Sequence, residues 1–447
     1  MTALLAEAGE RISRGSVTPT FDRALFRDEL AAFDFQEPQA FEDVVSWTMR
    51  QMESGVVHLN HRRYLGLFNP APTFPSQVAD RIAATFNPQL ATATTSPAPV
   101  EIEAHVTRAI ARRAGLGASA VGHFTSGGAE ANYTALVCAL TRANPEFATS
   151  GSRAFSGPPT FYISQDSHLA WIKIAHQAGI GRLAARLIAT DGTGRMSVDA
   201  LSAAIEADLA SGCTPFMVVA TAGTTNAGMI DPLEPCAEIS RKTGLWYHVD
   251  AAWGGAVIAS SQMRGMLAGI EKADSITIDA HKWFATTMGC GIFLTRHPSV
   301  LSAAFNVSAS YMPSHAPAAD PYLMTVQWSR RFLGLRLFLS LAVAGWAGYA
   351  GHVERAIDLV HLLSGKLRGL GWSVVNQPSL AVACLVPPPG SRPVKDIVQR
   401  VLASGQAWVS VAMFEGREVI RACVTHGETT PEDILAVVAV LENARHR

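Results

Sequence analysis

Polar and apolar residues alternate through Ser275-Ile276-Thr277-Ile278, the two-residue period of a strand. That strand runs straight into Asp279, Ala280, His281, Lys282 and Trp283. Thr160–Ser164, Ala185–Thr190, Phe216–Gly223, Leu245–Ala251 and Gly291–Thr295 also read as strands. Amphipathic stretches with helical spacing lie between several of them, among them Ser197–Gly212 and Pro232–Gly244. Apolar strands alternating with helices predict an α/β fold with a mainly parallel central sheet, covered on both faces. In such sheets ligands bind at the C-terminal ends of strands, where Asp250 and Lys282 fall.

Less periodic segments divide the pattern. Ala148–Pro159 is a Ser/Gly/Pro loop, and Ser308–Tyr322 is a Pro/Ala-rich loop of the length that often serves as a lid. Leu337–Gly351 is the most apolar run; it is too short to span a bilayer and is expected to be a buried helix between domains. Thr430 before Pro431-Glu432-Asp433 has the form of an N-cap, which places a small α+β domain at the end of the chain. The domain boundaries expected are an N-terminal helical segment over residues 1–95, a large α/β domain over 96–345 and the small domain over 346–447.

Composition narrows the function. The chain of 447 residues is too long for one core. Only 16% of residues are charged against 48% apolar, which suggests surface lost to a subunit interface. A formal net charge of -1 argues against nucleic acid or an anionic membrane as partner. The six cysteines have no metal-ligand spacing, so no metal is expected, and they read as reduced thiols of a cytoplasmic protein. The opening stretch carries Glu7 and Glu10 and no basic region before an apolar run, so no signal peptide is expected.

Four segments carry candidate chemistry. Ser126-Gly127-Gly128-Ala129 turns into a helix, and glycines at a helix N-terminus let backbone N–H groups approach a phosphate. Asp250 ends an apolar strand and is followed by the small Ala251 and Ala252, which leave room for a flat group. Lys282 has the surroundings of a Schiff-base lysine, and His168, after another strand, is a candidate ring stacker. Each has an ordinary reading too: a glycine turn, a capping aspartate, a snorkelling lysine, a core histidine. Together they match the needs of pyridoxal 5'-phosphate: anion cradle, ring-nitrogen carboxylate, amine and flat neighbours.

At this point the sequence resembles the group II pyridoxal-phosphate decarboxylases, the family of aromatic-L-amino-acid and glutamate decarboxylases. The motifs are TSGGAEAN, SHLAWIKIAHQAG, GTTNAGMIDPL, HVDAAWGG, DAHKW and WSRRFLGLRLF, in the family order. The resemblance implies the aspartate-aminotransferase-type fold, known as fold type I, and a homodimer wrapped by the N-terminal segment. It implies that Lys282 holds the cofactor aldehyde, Asp250 the ring nitrogen, and His168 and Ala252 the two ring faces. Ser126, Gly127, Gly128 and Ala129 would form the phosphate turn, with His281 nearby and Thr225 in a cofactor-contacting segment. A loop tyrosine returns the proton after carbon dioxide leaves; Tyr322 is the best match and Tyr311 its competitor.

The chain also departs from the family pattern. Arg62 replaces a proline, Val100 stands where aromatic decarboxylases commonly have threonine, and the residues after His281-Lys282-Trp283 lack the usual proline. These affect the substrate rather than the cofactor. Tyr64, Phe68 and Trp253 suggest an aromatic pocket, whereas Arg62 or Arg63 suit an acidic side chain. Decarboxylation of an aromatic L-amino acid to its amine is the expected activity. An acidic substrate, oxidative deamination to an aldehyde, carbon–carbon lysis and a non-catalytic binding protein are the alternatives.

Overall fold

The computed structural model describes residues 2–307 and 320–446. It divides into two compact units: Met1–Ala71 with Asp358–Val375 and Ala381–Arg447, and Pro72–Ile357 with Asn376–Leu380. The first unit opens with three helices, α1 (Thr2–Arg14), α2 (Arg23–Ala31) and α3 (Phe41–Gly55). The second opens with α4 (Phe74–Phe86) and α5 (Pro97–Ala114), each with proline in its first turn, where the missing N–H costs nothing.

Seven strands form the sheet of the second unit: β1 (Val121–Thr125), β2 (Pro159–Ser164), β3 (Ala185–Ile188), β4 (Thr214–Thr221), β5 (Trp246–Asp250), β6 (Ser275–Asp279) and β7 (Gly291–Thr295). Their order is β1-β7-β6-β5-β4-β2-β3. The run from β6 to β3 is parallel, and β7 lies antiparallel between β6 and β1. This is the α/β class that the alternation of strands and helices predicts. Strands β2, β5, β6 and β7 are buried along their whole length, because helices cover both faces. Phe161, Trp171, Met217, Val219 and Phe293 pack with Leu136 and Leu140 of α6 (Gly128–Ala143) into one cluster.

All six strands read from the sequence are present, and β1 is an addition. Its five residues include Gly122 and His123, which break the apolar pattern of a buried strand. Gly122 is needed there, because a Cβ would strike the carbonyl of Phe293 on β7. Both quoted helices also form. Ser197 caps one by accepting from the Ala200 N–H, and Gly244 closes the other in the left-handed conformation at φ 73°.

The apolar run Leu337–Gly351 lies in helix Gly334–Gly369, which is interrupted at Gly345 (φ 64°, ψ 175°). Burial does not extend along it as expected: Leu337 is fully buried but Val343 is 73% exposed. In the first unit, β8 (Ser373–Val374), β9 (Val382–Val386), β10 (Ser410–Phe414) and β11 (Arg417–Cys423) form an antiparallel sheet in the order β10-β11-β9-β8. Thr430 caps the last helix, Pro431–Arg445, in a reciprocal capping box with Asp433. No helix among the described residues is long and apolar enough to cross a membrane.

Candidate active site

Parallel pairing sets Asp250 of β5 opposite Thr277 of β6, so both strands deliver their last residues to the same edge of the sheet. Asp250 is 4% exposed. Its Oδ2 accepts from Asn132 Nδ2 at 2.8 Å and from Trp171 Nε1 at 3.2 Å. Its Oδ1 accepts from the Ala252 N–H at 3.2 Å. All three groups donate, so the carboxylate accepts on both oxygens.

Beyond β6 the chain turns through Asp279, His281 and Lys282. The Lys282 ammonium lies 3.1 Å from Asp279 Oδ2, and His281 Nε2 lies 3.9 Å from the same oxygen. Asp279 is 3% exposed, and its other oxygen is buried with no hydrogen-bond partner among the described residues. The glycine turn adjoins this group: an added Cβ on Gly128 would lie 2.7 Å from Asp279 Oδ2, and one on Gly127 3.6 Å from His281 Cε1. Helix α6 starts at Gly128, so the amides of Gly128 and Ala129 lie outside its own hydrogen-bond ladder. Ser126 is engaged differently, because its N–H and hydroxyl both donate to Glu130, which Gln327 also binds.

His168 is exposed, and its Nδ1 accepts from the Ala170 N–H. It lines a cleft of about 280 Å³ together with Thr225. Tyr322 is 8% exposed, in the short turn Pro321–Leu323. Its ring lies 4.8 Å from that of Trp328 and its N–H donates to Ala91, so its described contacts are with neither Lys282 nor Asp250. Tyr311, with most of the loop read as a lid, lies outside the described residues. Trp253 stacks on Trp283 with ring centroids 4.7 Å apart, both buried. In the first unit Tyr64 packs on Trp408 and Phe68 lies under Arg421. Arg62 pairs with Glu428.

Three residues of this group stand inside the quoted motifs but were given no role there: Asn132 ends TSGGAEAN, Trp171 lies in SHLAWIKIAHQAG and Asp279 opens DAHKW. Asn132 and Trp171 meet Asp250 across 118 and 79 residues of chain, a proximity that only the fold creates. Asp279 is visible in the sequence as a carboxylate three residues before the lysine, at the head of DAHKW. Among the described residues no cluster of His, Cys, Asp and Glu has the form of a metal site. All six cysteines are free thiols.

The donor set fits pyridoxal phosphate: free amides at a helix start, an amine, and a buried carboxylate already oriented by three donors. The fold and this set define a pyridoxal-phosphate enzyme. Residues 27–384 match the model of the pyridoxal-dependent decarboxylase conserved domain. A tyrosine decarboxylase of Oryza sativa subsp. japonica is 30% identical over 449 residues, which cover 94% of this chain and 83% of that protein. A cysteine sulfinic acid decarboxylase of Mus musculus is 33% identical over 290 residues, 63% of this chain and 59% of that one. The fold matches the crystal structure of Oryza sativa TDC with PLP and tryptamine at a TM-score of 0.92 and 23% identity, covering 99% of this chain and 95% of that one. The chain therefore belongs to the pyridoxal-phosphate-dependent decarboxylase family. It is a carboxy-lyase of amino-acid metabolism.

Proposed function

We propose that the substrate is an aromatic L-amino acid, converted to its amine and carbon dioxide. The observation that carries the chemistry is the adjacent delivery of Asp250 and Lys282 by β5 and β6. Two points favour an aromatic side chain over an acidic one. The tyrosine decarboxylase aligns over 94% of the chain against 63% for the cysteine sulfinic acid decarboxylase. The Arg62 guanidinium, a candidate receptor for an acidic side chain, is already paired with Glu428 at 3.1 Å.

In this reading the cofactor, when bound, supplies the electron sink for the breaking Cα–carboxylate bond. The protein supplies the rest. Lys282 would provide the amine that holds the cofactor, with Asp279 as its counter-ion. Asp250 binds the proton of the ring nitrogen, which raises the ring's capacity for electrons. Gly128 and Ala129 offer backbone N–H groups to the phosphate, with Ser126, Gly127 and His281 shaping the turn and Thr225 beside it. His168 and Ala252 would lie on the two faces of the cofactor's ring. Tyr322 returns the proton to Cα.

The protein is proposed to work as a cytoplasmic homodimer. The low charged fraction supports this, as do Phe74, Ile82 and Phe86 of α4, which are 75%, 39% and 79% exposed in the single chain.

A spectrum of the purified protein and a screen of L-amino acids test the proposal. The expected result is a visible cofactor band that Lys282→Ala abolishes, with amine and carbon dioxide from tyrosine, tryptophan or phenylalanine. Tyr322→Phe is expected to lower amine output. Release from aspartate or glutamate alone would overturn the aromatic preference, and aldehyde with peroxide would overturn decarboxylation as the main outcome.

A further inference from the structure

Trp246, His248 and Asp250 occupy alternate positions of β5, so the strand's two-residue period turns all three to one face of the sheet. The register of β6 sets Ser275 beside His248. On that face the side chains form an unbroken hydrogen-bonded chain. Trp246 Nε1 donates to Ser275 Oγ at 2.8 Å, and Ser275 Oγ lies 2.8 Å from His248 Nδ1. His248 Nε2 lies 3.3 Å from Asn132 Oδ1, and Asn132 Nδ2 donates to Asp250 at 2.8 Å. Every member is at least nine-tenths buried, His248 and Ser275 completely.

The proton positions in this chain follow from its two ends. Asn132 gives its Nδ2 hydrogen to Asp250, so its Oδ1 faces His248 Nε2 and can only accept, which puts a proton on Nε2. Burial lowers His248 to about 4, so it is neutral, and its free Nδ1 accepts from the Ser275 hydroxyl, which in turn accepts from the Trp246 indole N–H. The Nε2 proton goes to Asn132 Oδ1, which turns the Asn132 amide N–H toward Asp250. The opposite histidine tautomer would reverse the links of His248 to Ser275 and Asn132 and set the Asn132 carbonyl against the Asp250 carboxylate, a repulsive contact in a buried site.

We propose that Trp246, Ser275, His248 and Asn132 form a positioning relay that keeps the shared proton on the cofactor's ring nitrogen rather than on Asp250. The proposal rests on the assignment of Asp250 to that nitrogen made above. Donors to a carboxylate stabilise its anion and weaken its hold on a proton. A relay with one allowed direction makes that donation permanent. None of the four residues needs to touch the substrate.

The test uses holoenzyme loaded with cofactor isotopically labelled at the ring nitrogen, observed by NMR. Ser275→Ala removes the link between Trp246 and His248 without touching Asp250. It is expected to move the ring-nitrogen resonance toward its unprotonated position. It is also expected to lower kcat about tenfold with KM retained, the scale on which outer partners act on the ligand they orient. Ser275→Thr, which keeps the hydroxyl, is expected to restore both, and Trp246→Phe to give a smaller shift in the same direction. Asp250→Ala serves as the reference. If it moves the resonance while Ser275→Ala and Trp246→Phe leave it in place, the relay is wrong and the Asp250 assignment stands. If Asp250→Ala also leaves it in place, both are wrong.

Discussion

Gly128 leaves no room for a methyl group. A Cβ there would lie 2.7 Å from Asp279 Oδ2 and 3.2 Å from its Cγ. Asp279 is 3% exposed and tied to Lys282, so it has nowhere to retreat. At Gly127 the same addition meets only His281 Cε1 at an ordinary 3.6 Å, and the backbone is extended (φ 163°), a conformation open to any residue. The sequence names both glycines for one reason, approach to a phosphate; the structure adds a second that applies to Gly128 alone. Gly128→Ala is therefore expected to destabilise the cofactor-free protein by about 1–3 kcal/mol, the usual range for overpacking. Gly127→Ala is expected to leave it near wild type. Thermal unfolding of the two variants decides this, and equal melting temperatures would refute the steric account.

At the scale of elements, β2 to β7 were legible because each is an apolar or alternating run between turn residues. Helix ends were legible where a local residue specifies them, as Ser197, Gly244 and Thr430 do. The antiparallel course of β7 was not, because nothing within Gly291–Thr295 records which neighbours it pairs with. In the same way Asp250, His168 and Lys282 were found at strand ends, while the partners that orient Asp250 sit on α6 and on helix Ala170–Gln177. Long-range ion pairs escape for the same reason. Glu103 of α5 binds Arg330 at 2.8 Å and accepts from the Gly334 N–H at 2.9 Å, and Arg330 also donates to the Phe124 carbonyl of β1. The two side chains are 6% and 4% exposed. Three elements thus meet on one buried charge pair. Glu103→Ala strands the Arg330 guanidinium without its counter-ion and is expected to cost about 3–5 kcal/mol. Chemical denaturation measures this; a loss below about 1 kcal/mol, typical of exposed pairs, would show that water reaches the site.

Across the whole molecule, buried neutral histidines set the response to acid. Burial lowers His61 to about 4, His123 to about 3 and His248 to about 4, each from 6.5. Hydrogen bonding agrees for His61, whose Nδ1 accepts from the Arg63 N–H. Between about pH 6.5 and 4 the unfolded chain binds protons at these three sites and the folded chain does not. Their contribution is complete above 6.5 and is lost as pH falls through this window. Asp231 acts in the opposite sense: burial pushes it up to about 7, so its contribution is lost as pH rises from about 4 to 7. Three histidines outweigh one carboxyl, and stability is expected to fall as the solution is acidified from pH 6.5. His123 offers the cleanest check, because neither ring nitrogen has a hydrogen-bond partner among the described residues and the ring packs against Phe293. His123→Leu keeps an apolar side chain of similar size in that position and removes one titrating group. The pH slope of its unfolding free energy is expected to be shallower than wild type by about 1.4 kcal/mol per pH unit, the weight of one proton. Parallel slopes for the two proteins between pH 6 and about 4.5 would show that His123 does not titrate in the unfolding reaction and would remove it from the acid-sensitive set.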